Sequence, residues 1–198
     1  MSVILDLIGS VVIAAFVILI GLQLNKNIAG TADAAMANLN VQESMVDIVR
    51  SIEYDFRKIG YGLPETQTAI LDTGSSYIRY QADVDNNGTI DEVEWYTGPA
   101  ITELPNPRIR VLYRRVNGGT AIGAALGVTD FRLRYLDQDG GQPVSLSAIY
   151  IIETTLQVES PYRVQDQVNL DQSYGEMGYA TAFWRQTRLA SRNIKRHG

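Results

Sequence analysis

The sequence predicts an α+β protein: one long N-terminal α-helix, membrane-spanning in its first half, packed by an antiparallel β-sheet head. Three patterns carry that expectation. Residues 7–24, LIGSVVIAAFVILIGLQL, contain no charge. Residues 41–59 place their apolar side chains on one helical face. Beyond Pro64 the hydrophobic period changes to two, the repeat of a half-buried strand. The division falls between a hydrophobic and amphipathic stalk helix, residues 1–62, and a β-rich globular head, residues 63–198.

Hydrocarbon about 30 Å thick is crossed by roughly 20 apolar residues in a helix, so residues 7–24 are long enough to span it. One carboxylate, Asp6, stands just before the run. A secretory signal would carry basic residues ahead of its apolar core and a small-residue cleavage site after it. Residues 1–6 hold no Lys or Arg, although small residues do follow near 31–35. The expectation is therefore a retained span. Gly30 and Thr31 interrupt the pattern after it. Glycine costs about 1 kcal/mol relative to alanine inside a helix, so a bend or local melting is expected over residues 28–31.

The stalk resumes with Val41, Met45, Ile48, Ile52, Phe56 and Ile59, spaced by 4, 3, 4, 4 and 3 residues. Glu43, Asp47, Arg50, Glu53, Arg57 and Lys58 fill the other faces. Gly60, Gly62 and Pro64 end the helix. Strands are expected over residues 68–71, 77–81, 92–96, 108–115, 129–136, 147–159 and 181–187. Turn signals at Thr73-Gly74, Asn87-Gly88, Asn117-Gly118-Gly119 and Asp139-Gly140-Gly141 separate most of them. The glycine-rich segment 118–127 lacks the Lys-Ser/Thr of a phosphate-binding loop and reads as a plain loop.

Seventeen basic and 22 acidic residues leave a net charge of −5, so no nucleic-acid partner is expected. The one basic cluster, Arg185, Arg188, Arg192, Lys195 and Arg196, reads as a solvated terminal strand and tail. The chain has no cysteine, which excludes disulfides and thiolate metal sites and fits an extracytoplasmic location. Its single histidine, His197, lies one residue from the end. No catalytic residues are expected, and the chain is not read as an enzyme.

One motif bears on ligands. Asp83, Asp85, Asn87, the Thr89 carbonyl, Asp91 and Glu94 fall at positions 1, 3, 5, 7, 9 and 12 of an EF-hand-type loop, with Gly88 at position 6. That spacing points to calcium as the only candidate cofactor. The flanking segments read as strands rather than helices, so an Asn-Gly hairpin turn with acidic shoulders stands as the alternative. The second acidic turn, 137–141, lacks the later ligands and reads as a turn.

Several stretches together carry a family resemblance. Residues 2–8, SVILDLI, resemble the mature start of type IV pilin-like proteins, an aromatic residue followed by TLIELL, with Asp6 where that family has a glutamate. Residues 50–64, RSIEYDFRKIGYGLP, resemble the stalk end of the large minor pilins and minor pseudopilins. Residues 81–96, QADVDNNGTIDEVEWY, resemble their first hairpin; 128–135, VTDFRLRY, and the terminal RQTRLASRN resemble later strands. The resemblance implies a structural subunit of a type IV pilus-like or type II secretion-like filament, in a minor, priming or tip role. It implies assembly with other pilin-like subunits, as a homo- or hetero-polymer, through the hydrophobic helix. It further implies a single pass through the cytoplasmic membrane, an extracytoplasmic head and a cell-surface filament once assembled. Ser2 and Asp6 would form the assembly contact, the amine of one subunit against the carboxylate of the next. The rival expectation is a membrane-anchored extracytoplasmic binding (adhesive) module, calcium-dependent, that does not polymerise.

Overall fold

The computed structural model describes residues 2–165, 177–189 and 193–194. Helix α1 runs without a break from Ser2 to Lys58, 57 residues, a length of about 85 Å at 1.5 Å per residue. The helix is continuous through residues 28–31, so the local melting expected there does not occur. Glycine's cost of about 1 kcal/mol is small against a helix propagated from both sides. Thr31 also returns its hydroxyl to the Asn27 carbonyl at 2.7 Å, keeping its side chain within the helical turn.

The helix stops where glycine allows a left-handed exit. Gly60 and Gly62 have φ of 78° and 77°. The freed Gly60 amide donates to Gln81 O at 2.9 Å, and the Asp83 amide donates back to Tyr61 O at 2.9 Å. Arg57 and Lys58 in the last turn complement the negative end of the helix dipole. At Gly62 a Cβ would stand 3.0 Å from the Asp83 Cβ. Gly62→Ala therefore combines a left-handed penalty with a close contact, and is expected to destabilise the head by about 1–3 kcal/mol. Thermal denaturation checks this, with Gly88→Ala, which is equally left-handed but opens onto free space, as the comparison.

Seven strands follow among the described residues: β1 (Ile70–Gly74), β2 (Tyr77–Ala82), β3 (Asp91–Ala100), β4 (Arg110–Val116), β5 (Ile122–Leu136), β6 (Ile151–Gln165) and β7 (Met177–Leu189). Each pairs antiparallel with its chain neighbour, giving the sheet order β1 to β7. Two expectations shift. The 118–127 segment is not all loop, because β5 begins at Ile122; its Gly and Ala residues offer no apolar–polar contrast to mark a strand. The strand expected from 147 begins at Ile151, after a 3-10 turn over Leu146–Ala148. Long β5 pairs with β4 through its first half and with β6 through its second, the change occurring at Val128. Gly127 stands beside this switch with φ of 97°, where a Cβ would meet the Glu159 carbonyl at 3.1 Å.

The core lies between the second half of α1 and one face of the sheet. Val41, Met45, Ile48, Ile52, Phe56 and Ile59, the six residues of the sequence-derived face, are all buried. They join Ile78, Tyr80, Val93, Trp95, Phe131, Leu156 and Val158 in one apolar cluster. Phe56 meets Tyr80 edge to face, with ring centroids 6.2 Å apart. A charged group also crosses this layer. Buried Asp55 accepts from Trp95 Nε1 at 2.8 Å, and from Arg114 Nε and Nη2 at 2.5 and 3.2 Å. Burial, then the neighbouring Asp55 carboxylate, pushes the Tyr80 hydroxyl well above its ordinary value of 10.0.

Candidate functional site

Two regions hold the residues singled out from sequence. The first is the uncovered part of α1. Before Val41 only Ala37, partly buried, packs against the core among the described side chains, and the helix is long and apolar enough, near its N-terminus, to cross a membrane. Its large apolar residues from Val3 through Leu24 whose side chains are described face outward. A soluble protein exposing an apolar surface of this extent would aggregate, so it needs lipid or other helices around it. Ser2 opens the helix. Asp6 is exposed one turn later, and its carbonyl accepts the Ser10 hydroxyl at 2.7 Å. Ser2 and Asp6 thus lie one turn apart at the same end of the helix.

The second region is the β2–β3 turn. Asp83, Asp85 and Asp91 bring one carboxylate oxygen each to within 4.8 Å of one another. Asp83 and Asp91 are buried at the strand ends, while Asp85 is exposed at the tip. The oxygens already accept hydrogen bonds. Asp83 takes the Asn87 and Gly88 amides at 3.0 and 2.9 Å. Asp85 takes the Asn87 amide and its side-chain Nδ2 at 3.2 and 2.8 Å. Asp91 takes the Val84 amide at 3.3 Å and Asn117 Nδ2 at 2.7 Å. Asn87 Oδ1 is bound by the Thr89 amide at 2.7 Å. Asn86, with φ of 60°, and Gly88, with φ of 84°, make the reversal.

Glu94, the twelfth-position ligand by spacing, is not brought to this group. It lies inside β3, three residues beyond Asp91, and successive strand residues point to opposite faces. Asp91, Val93 and Trp95 share the inner side; Glu94 sits across from Arg79 and Arg115 and ion-pairs with Arg115. An EF-hand uses a helix to swing its twelfth residue back onto the ion, and a strand cannot make that return. The sequence also gave no sign of Lys58. Its ammonium donates to the Val84 carbonyl at 2.5 Å and to Asn86 Oδ1 at 3.3 Å, which ties the acidic turn to the end of α1. A lysine 26 residues upstream became legible only once the helix end and the turn were placed side by side.

Of the basic cluster, Arg185 is exposed on β7, whereas Arg192, Lys195 and Arg196, with His197, lie outside the described residues. The resembled family finds no further anchor: no family model, curated protein or solved structure matches this chain.

Proposed function

We propose that the chain is a structural subunit of a type IV pilus-like or type II secretion-like filament, assembled through its N-terminal hydrophobic helix. One observation carries this reading. A single continuous helix serves the head's core with its second half, while its first half has an uncovered apolar surface. A plain membrane anchor needs no rigid connection to the head; a subunit whose head must be held at a fixed position on a helical bundle does. The reading places the span in the cytoplasmic membrane and the head outside the cytoplasm. It gives the chain no catalytic role, and its partners are other pilin-like subunits, of the same or different kinds. A minor, priming or tip role follows the resemblance of the head to the large minor members.

Asp6 supplies the direct test. A carboxylate at the edge of hydrocarbon is stabilised by a cationic partner, and a neighbour's amine at Ser2 would provide one. Asp6→Ala is expected to lower incorporation into sheared filaments severalfold while leaving the membrane-bound amount unchanged. Equal incorporation of the variant would show that Asp6 guides no assembly contact.

A second reading is favoured by the three converging carboxylates: a membrane-anchored adhesive module that binds calcium and stays monomeric. Such a site would lack Glu94 and compete with the hydrogen bonds already made, so its affinity falls in the range of about 10⁻⁴ to 10⁻³ M. Calcium near that concentration adds about 0.4 kcal/mol, a saturable rise in melting temperature on the order of 1–2 °C. Asp85→Asn, at the exposed tip, should remove the rise without disturbing the buried turn. No rise in the parent chain leaves the loop as a turn closed by its own amides and Lys58.

A further inference from the structure

Two patches outside these sites each join exposed apolar atoms to charge, with opposite prevailing sign. The first is on the stalk. Leu39 and Val46 are 59% and 45% exposed, and Glu43 and Asp47 lie between and beside them at helical spacing. This stripe faces away from the sheet, because Val41, Met45 and Ile48 are the residues that face it. Arg50 closes its end, 4.0 Å from Asp47.

The second patch is on the outer face of β5–β6–β7. Phe183 is 61% exposed there. Beside it the register aligns Arg132, Thr155 and Arg185 in one row across three strands. Neighbouring strands lie about 4.8 Å apart, so the two arginines stand roughly 10 Å from each other. Arg132 pairs with Asp130 at 2.5 Å, while Arg185 pairs with no carboxylate among the described residues. Phe131, Leu133 and Leu156 point the other way, into the core.

We propose that these patches bind each other between neighbouring copies of the chain. Phe183, Arg132 and Arg185 of one head seat on Leu39, Val46, Glu43 and Asp47 of the next stalk. The proposal rests on the filament reading and adds to it a contact that would set neighbour positions beyond the apolar span. Helix and sheet form two layers, and the patches are on the outer sides of opposite layers. They cannot meet within one chain, and two copies cannot satisfy both patches by a two-fold contact of like surfaces. Such a heterologous contact propagates into an open helical polymer unless its rotation closes a ring. Charge supports the same pairing. Copies of net charge −5 repel on average, so a contact between them needs a local match of sign, and these two patches supply one.

The absence of cysteine makes the test clean. Full-length chains carrying Phe183→Cys and Val46→Cys are co-expressed, and intact membranes are treated with a short bismaleimide. The expected product is a dimer containing one chain of each kind. Arg132→Glu with Arg185→Glu should lower its yield at least about fivefold, and Glu43→Arg with Asp47→Arg on the other chain should restore it. Sedimentation of the parent chain in the sheared filament fraction is read in parallel. Filaments without the mixed dimer overturn this contact and leave the filament reading standing. The mixed dimer without filaments supports the contact and overturns the filament reading. Neither product overturns both. Dimers of the Phe183→Cys chain alone, or its attachment to a different protein, overturn the proposed pairing.

Discussion

A chain beginning at Thr31 is expected to be soluble and folded, with the mixed helix and sheet signature of the intact head, and to be lost from membranes. The removed residues contribute no side chain to the core, whose first member on the helix is Val41. Ten residues of α1 would remain ahead of that point, enough to keep the helix from fraying into the packed region. Stability should stay within about 1 kcal/mol of the full chain, since surface segments outside the core rarely carry more. Circular dichroism, melting temperature and partition between membrane and soluble fractions measure this together. An unfolded product would mean that the head depends on the span, and the division between stalk and head would then be wrong.

In that shortened chain Asp55→Ala should be among the most damaging single changes. Asp55 is buried inside the helix–sheet layer and receives three hydrogen bonds from Trp95 and Arg114. Removing it strands the indole N–H in a dry core and leaves the guanidinium, partly buried, without its counter-charge. Breaking one partner of a buried pair costs about 3–5 kcal/mol, although part of Arg114 reaches solvent and brings the expectation toward the lower figure. At roughly 2–4 °C per kcal/mol, the melting temperature should fall by about 6–15 °C. Asp55→Asn keeps an acceptor for Trp95 and should lose less. Asp47→Ala, exposed on the same helix, should change stability by under about 0.5 kcal/mol. Equal effects of Asp55→Ala and Asp47→Ala would remove Asp55 from the set of residues that hold the layers together.

These expectations draw unevenly on what the sequence displays. The helix face was legible because burial repeats every three or four residues, and Val41 through Ile59 keep that rhythm without error. The β2–β3 reversal was legible from its Asn-Gly and acidic residues. The pairing of Glu94, inside β3, with Arg115 was not legible, because loop spacing counts residues along the chain but does not name a partner on another strand. The first half of β5 was hidden by glycine and alanine, which mark neither face. Asp55 reads from sequence as a carboxylate on the helix surface beside Glu53, and the fold instead buries it between Ile52 and Phe56. Its partners, 40 and 59 residues away, could be named only from the fold.

The order of the strands has a kinetic side. Every strand pairs with its predecessor, so the sheet can grow hairpin by hairpin as the chain emerges. The helix behaves differently: α1, at the start of the chain, packs chiefly on β6 and β7, at its end. Until those last strands arrive, Met45, Ile48, Ile52 and Phe56 have no complete cover. For that interval the half-built protein presents a sticky ridge, a natural point for a chaperone to hold or for premature chains to clump. A truncation that removes only β7 should therefore be far more aggregation-prone than its small loss of length suggests.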